Sequence, residues 1–332
     1  MSRFTHRAVE GATVEVLEKD RRPQVGPVAV LPEEDATEEY LEAVRAGGGE
    51  VAPLGADTRA IVWLGPADPD GLLGALEEAP GVQWVQLPWA GVDRFAQALA
   101  DHDRHDLVWT SAKGAYAQPV AEHALALALA GLRGLTERAR AASWGEKKGE
   151  SLYGRNVVIV GAGGIAVELL RLLRPFEVLT TVVRRSGEPV EGADRTVSAD
   201  RLDEVLPDAD VLVLAAASTG ETRHLIDADR LALLKPTTVL VNIARGALVD
   251  TDALVAALRE ERLGFAGLDV TAPEPLPDGH PLWSEDRALV TPHSADTPEM
   301  IAPLLAERIR LNVEAYVSTG RFVGIVDPRA GY

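Results

Sequence analysis

Short, nearly continuous apolar runs alternate with longer segments of helical period from residue 28 to the end of the chain. VAVLP (28–32), AIVWLG (60–65), VQWVQL (82–87) and LVWTSA (107–112) form one series. NVVIV (156–160), VLTTVV (178–183), VLVLAA (211–216), TVLVNIA (238–244), FAGLDV (265–270) and ALVTPH (288–293) form a second. Runs of this kind, separated by helical stretches such as DATEEYLEAVRAGG, predict parallel sheets covered by helices on both faces. The expected fold class is therefore α/β, with two doubly wound parallel-sheet domains. Residues 113–144 are rich in Ala and Leu, and Pro119 falls near the first helical turn, where its missing N–H costs little. From Val120 to Leu135 the apolar positions cover too much of the circumference for a surface helix, so this segment is predicted buried between domains or at a subunit contact. PEMIAPLLAERIRLNVEAYVSTG reads as an amphipathic helix that crosses back to the first series, and the first 25 residues, without a clear period, read as a loose arm.

Composition narrows the function. The chain has 332 residues, enough for two domains, and 46% of them are hydrophobic, yet no apolar stretch is long enough for a membrane span. The N-terminus lacks the apolar core of a secretion signal, which makes the cytoplasm the default address. Cysteine is absent, so disulfides, thiolate nucleophiles and cysteine-ligated zinc are excluded. A formal net charge of −18 would repel a phosphate backbone and argues against nucleic acid as a partner. A small anionic substrate remains compatible if local cations override the global field, and Arg184, Arg185 and Arg245 are the candidates.

The run 156–160 leads directly into Gly161-Ala162-Gly163-Gly164-Ile165-Ala166 and then a helical pattern that Pro175 stops. In such a strand-to-helix turn the first glycine permits the tight bend and the second lets the backbone approach a pyrophosphate at the helix N-terminus. This predicts a Rossmann-type nucleotide-binding domain, residues 113–298, inserted into a smaller flavodoxin-like substrate domain, residues 1–112 and 299–332. The residue at the tip of the next strand, roughly 20 positions on, selects the cofactor. Arg184, Arg185 and Ser186 stand there, offering guanidinium groups and a hydroxyl to a 2′-phosphate, so NADP is preferred over NAD.

Farther along, an arginine, a carboxylate and a histidine each follow an apolar run: Arg245 in VNIARGALVD, Glu274 in GLDVTAPEP and His293 in TPHSAD. Arginine's planar fork can hold a carboxylate and polarise an adjacent carbonyl. A histidine hydrogen-bonded to a glutamate can give or take a hydroxyl proton. Beside a nicotinamide these three suit redox chemistry on a 2-keto acid. His123 lies in the apolar helix and reads as a supporting residue, His280 as a structural loop residue, and the other histidines as surface or packing. No cluster has metal-ligand spacing, so no metal is expected.

The chain resembles the D-isomer-specific 2-hydroxyacid dehydrogenase family from about residue 28 onward. Besides the glycine turn, the resemblance rests on PVAEHALALALA (119–130), STGETRHLI (218–226), LLKPTTVLVNIARGALVDTDAL (233–254), GLDVTAPEPLP (267–277) and TPHSA (291–295). LPWAGVDRF and the VVRRS tip are most similar to the NADP-dependent glyoxylate and hydroxypyruvate reductases of that family. The resemblance implies that Arg245, Glu274 and His293 are catalytic and that the loop Trp89-Ala90-Gly91-Val92 presents amides to the substrate carboxylate. It also implies that Asp269 contacts the nicotinamide end, that Ala216, Thr222, Ile243 and Ala244 contribute to the cofactor site, and that the protein is a homodimer with the helix near 119–142 at the contact. On this reading Arg245 clamps the 2-keto acid, His293 gives the proton to the developing alkoxide, and Glu274 orients the imidazole. Three positions depart from the pattern: Ala217 where proline is usual, Glu177 where glycine precedes the second strand, and Asp296 near the active site. A carboxylate at 296 would favour the charged form of His293 or repel an anionic substrate. Competing expectations are a phosphoglycerate-type dehydrogenase, one for a bulkier substrate with Trp89 and Trp283 lining the pocket, or an NADP-sensing protein without turnover.

Overall fold

The computed structural model describes residues 14–65 and 68–328. The chain divides into two compact units, Ala117–Asp296 and the remainder on either side of it. The breaks therefore lie at 116/117 and 296/297 rather than at 112/113 and 298/299. Residues 112–116 stay with the first unit because the Ala112 N–H donates to Trp89 O at 3.0 Å and the Tyr116 hydroxyl donates to Pro88 O. Thr297 stays there because its carbonyl accepts from Met300 and Ile301, opening the helix Pro298–Glu314.

In the first unit the strands Val28–Leu31, Ala60–Trp63, Trp84–Gln86 and Val108–Thr110 form a parallel sheet in chain order. A single parallel bridge from Val51 to Val28 adds a rudimentary strand on the outer side of the first. The resulting order, 2-1-3-4-5, is that of the flavodoxin-like doubly wound sheet. Ile61, Val85, Leu87, Phe95, Leu99 and Trp109 fill one core. The returning helix Pro298–Glu314 is pinned by Asn312, whose amide donates to Gln86 Oε1 at 2.7 Å and to Val323 O at 2.9 Å. Part of the expected loose arm is ordered: Val14–Val16 pairs antiparallel with Arg321–Val323, and Leu17 is buried. Residues 1–13 of that arm lie outside the described residues.

The second unit holds seven parallel strands: β1 (Asn156–Val160), β2 (Leu179–Arg184), β3 (Arg195–Ser198), β4 (Val211–Leu214), β5 (Val239–Asn242), β6 (Phe265–Leu268) and β7 (Ala288–Val290). Their order across the sheet is 3-2-1-4-5-6-7. Six runs were apolar enough to predict; β3 escaped because it is an edge strand with one buried side chain, Val197. Between β1 and β4 the direction of winding reverses, and ligands bind outside the carboxyl ends of the strands at such a point. The Ala/Leu-rich segment is not one helix. Ala117–Leu132 packs within this unit on β5, β6 and the helix Gly164–Leu173, the chain turns at Gly134, and Leu135–Arg140 forms a short second helix. Glu122 and Ala126 keep one side of the longer helix exposed. Among the described residues no helix is long and apolar enough to cross a membrane.

Candidate active site

β1 delivers the chain into Gly161, which sits at φ +114 and donates its N–H to Val183 O at 2.8 Å. A Cβ at this position would meet Ala215 O at 2.4 Å, so both the backbone conformation and the close approach of the next loop require glycine. Two residues on, Gly163 caps the helix Gly164–Leu173, and a Cβ there would meet nothing within 4 Å. That open backbone face at a helix N-terminus is what a pyrophosphate needs, while the fully buried Ala166 lets the helix lie close on the sheet. The residues present therefore fit a dinucleotide. Ala162, Ile165 and Ala216 are half-buried around the same turn. The remaining residues expected to hold the cofactor have their polar groups largely engaged. Thr222 donates its hydroxyl to Ala217 O at 2.8 Å and accepts from the Thr219 N–H, closing its own loop. Ile243 and Ala244 are buried, with their N–H groups bonded to Leu214 O and Asn242 Oδ1.

At the tip of β2 the structure adds a residue the sequence reading passed over. Arg184 ends the strand, but its guanidinium lies 3.5 Å from the carboxylate of Glu188, to which Ser186 donates its hydroxyl at 3.2 Å. Two positions short of it the sequence offered nothing acidic; the turn at Gly187 brings Glu188 back beside the tip.

The loops that follow β6 and β7 bring a glutamate and a histidine together. His293 Nδ1 lies 2.8 Å from Glu274 Oε1. Glu274 belongs to the loop after β6, tied down by the Thr251 hydroxyl on Ala272 O at 2.7 Å and the Thr271 hydroxyl on Pro273 O at 2.8 Å. His293 follows β7 in the left-handed region, φ +49, a conformation uncommon for a non-glycine residue and one that surrounding contacts must hold. Asp269 supplies them. Its carbonyl accepts from the His293 N–H at 2.9 Å, and its carboxylate accepts from the Thr291 hydroxyl at 2.6 Å, the Ser294 N–H at 2.9 Å and the Ala295 N–H at 3.1 Å. His123 Nε2 lies 3.0 Å from Thr291 Oγ1 and 3.4 Å from Asp269 Oδ1. Burial pushes the Asp269 carboxyl up, but these hydrogen bonds outweigh it and hold the group below the usual carboxylate value. Asp269, expected to meet the nicotinamide, thus has its carboxylate engaged beneath the histidine loop.

Arg245 follows β5 in an extended conformation, with Nη1 donating to Ala244 O at 2.8 Å. Asn242 steadies this turn by donating to Arg245 O at 2.9 Å. At Gly246 the chain presses so closely on Thr271 that a Cβ would lie 1.9 Å from its carbonyl oxygen, so the loops bearing Arg245 and Glu274 are in contact. Asp296 completes the group: burial raises its carboxyl to about 6, against the stabilising fields of His293 and Arg245, while Asp269 adds to the rise. Trp89, Ala90 and Gly91 belong to the first unit, where Trp89 packs edge-on against Tyr116. His280 is a loop residue whose Nδ1 accepts from the Leu282 N–H, and the half-exposed Trp283 donates its indole N–H to Pro277 O. Glu177, where glycine is usual, adopts φ 51, the left-handed conformation glycine accommodates most easily.

Residues 123–295 match the profile of the D-isomer specific 2-hydroxyacid dehydrogenase, NAD binding domain. An uncharacterized protein of Corynebacterium melassecola is 40% identical over 257 residues, covering 76% of this chain and 84% of its own. The glyoxylate reductase of Pyrococcus furiosus is 32% identical over 252 residues, 72% of this chain and 74% of that one. Among solved structures, a D-isomer specific 2-hydroxyacid dehydrogenase from Xanthobacter autotrophicus, in complex with NADPH and MES, superposes with a TM-score of 0.78 at 28% identity, covering 93% of this chain and all of the other.

Proposed function

Because the chain belongs to the D-isomer-specific 2-hydroxyacid dehydrogenase family, we propose that it is an NAD(P)H-dependent reductase of a small 2-keto acid of the glyoxylate or hydroxypyruvate kind. The observation that carries this reading is the His293–Glu274 contact of 2.8 Å, formed on the loops after β6 and β7 and joined by the Arg245 loop after β5. A bound reduced nicotinamide supplies the hydride. The protein's own residues do the rest. The Arg245 guanidinium holds the substrate carboxylate and polarises the neighbouring carbonyl. Glu274 occupies His293 Nδ1, which leaves Nε2 to give the proton to the carbonyl oxygen as the hydride reaches the carbon, so the keto acid leaves as the D-2-hydroxy acid. The amides of Ala90 and Gly91 are proposed as further ligands of the substrate carboxylate.

Arg184, Arg185 and Ser186 support a preference for NADP, with NAD as the alternative. A homodimer belongs to the same proposal; two exposed apolar side chains, Leu135 at the start of the short helix Leu135–Arg140 and the 91% exposed Trp144 in the segment after it, support it. Initial rates with glyoxylate and hydroxypyruvate, each with NADPH and NADH, test the assignment. Turnover of either acid is expected, faster with NADPH. Cofactor binding without turnover of any 2-keto acid would instead favour a nucleotide-sensing protein.

A further inference from the structure

Glu188 stands where a cofactor's 2′ substituent is expected. The strand β2 runs out at Arg184, and a turn closed by the Gly187 N–H on Arg184 O reverses the chain, with Gly187 at φ +68. The reversal brings Glu188 back over the strand end. Its Oε2 lies 3.5 Å from Arg184 Nη2 and 3.2 Å from Ser186 Oγ, and its carbonyl lies 3.5 Å from Arg184 Nη1. Beyond it, the Val190 N–H is anchored on Thr196 Oγ1 at 3.0 Å, so both ends of this short loop are fixed. One carboxylate oxygen thus engages two of the three side chains assigned to a 2′-phosphate.

We propose that Glu188 is a specificity-determining residue that holds the cofactor preference close to balance: it stands in for the phosphate at Arg184 and Ser186, opposes a 2′-phosphorylated dinucleotide, and can accept from the 2′-hydroxyl of an unphosphorylated one. The inference rests on the reading that the β2 tip receives the adenosine ribose. A 2′-phosphate brings roughly two negative charges and needs the guanidinium and the hydroxyl for itself. It must first displace the carboxylate and then tolerate it nearby. The side chain of Glu188 is 71% exposed, so it can swing out, and solvent screens the repulsion. The result is a modest penalty on NADPH that narrows its advantage over NADH without abolishing it. A bare ribose meets the opposite situation, since an acidic side chain at this tip is an acceptor for its 2′-hydroxyl.

The test is the equilibrium affinity of the full-length protein for NADPH and NADH, read by quenching of tryptophan fluorescence, so that no catalytic step enters. In Glu188→Gln, and in Glu188→Ala as a variant without the side-chain amide, the ratio of the NADH to the NADPH dissociation constant is expected to rise about 3- to 5-fold, the scale of an exposed ion pair. A ratio that stays put or falls overturns the proposal. Arg184→Gln separates this from the underlying reading. If that variant weakens NADPH at least 3-fold while the Glu188 variants change nothing, the tip does bind the phosphate and only the role of Glu188 fails. If Arg184→Gln leaves NADPH affinity unchanged, the ribose does not sit at this tip and both fall. In the Arg184→Gln background the Glu188→Gln effect on NADPH is expected to shrink, because the pair it breaks is already gone.

Discussion

Ser294 donates its backbone N–H to Asp269 Oδ1 across 2.9 Å, and through this contact a buried carboxylate at the end of β6 sets the path of the chain that follows β7. Ala295 and Thr291 donate to the same carboxylate, and the His293 N–H donates to the Asp269 carbonyl. The left-handed backbone at His293 persists because its neighbours on both sides are fixed to one residue.

Asp269→Asn is accordingly expected to destabilise the protein by about 2–4 kcal/mol, because the amide turns a donor toward N–H or O–H groups that need an acceptor and leaves them unpaired where water is scarce. Thermal unfolding measures the loss. The same variant should lower kcat well beyond any change in cofactor affinity, since it loosens His293, the proposed proton donor, and leaves the glycine turn untouched. The Asp269 carboxyl is held below its ordinary value, so its contribution is present above about pH 4 and lost as pH falls through the lower, folded value. Wild type and variant should converge in stability toward strong acid.

Asp296 gives the opposite sign. Its carboxyl is raised to about 6, so the folded state binds a proton more readily than the unfolded chain, and ionising it costs stability as pH climbs from about 4 to about 6. Asp296→Asn should therefore be more stable than wild type by about 1–2 kcal/mol at pH 7.5 and equal to it near pH 4. Removing a negative charge beside Arg245 and His293 should also lower KM for an anionic keto acid a few-fold above pH 6. Unfolding curves at the two pH values, together with KM, decide it; a variant less stable at pH 7.5 would contradict the sign.

Replacing His293 with Asn is expected to reduce turnover by about 10²–10⁴-fold, the usual scale for a lost general acid. Glu274→Gln keeps a hydrogen-bonding group at Nδ1 without its charge and should cost less. Dissociation constants for the cofactor should stay within about 2-fold in both variants. Comparable losses of turnover and cofactor affinity would assign these residues to the framework instead.

Arg245→Lys retains the charge and loses the fork. KM for glyoxylate or hydroxypyruvate should rise about 10- to 100-fold, since an ammonium cannot hold a carboxylate and an adjacent carbonyl oxygen in one plane. Steady-state kinetics at saturating cofactor measures this; a KM close to wild type would remove Arg245 from the carboxylate clamp.

Much of this was legible along the chain because buried parallel strands must be apolar on both faces, and because a turn that admits a pyrophosphate has few alternatives to glycine. NVVIV followed by Gly161 and Gly163 therefore announced a strand, a turn and a ligand class together. Arg245, Glu274 and His293 were legible for a related reason: each follows a strand at its carboxyl end. Features that depend on little apolar surface were not. The edge strand Arg195–Ser198 buries one side chain, and Val14–Val16 finds its partner only at Arg321–Val323, far away in sequence.

The sequence by itself determined the element types, the two-part α/β plan and the residue chemistry at the strand ends, because burial periodicity and backbone permissiveness are local properties of the chain. Only the tertiary structure decided which polar groups meet. Glu188 reaches Arg184 because of a turn at Gly187, Asp269 spends its carboxylate on the histidine loop, and Asp296 is raised by burial beside charges from other strand ends. The first depends on a backbone turn that residue types alone did not announce; the other two depend on distance and desolvation between segments, and neither quantity exists until the sheet has brought those segments together.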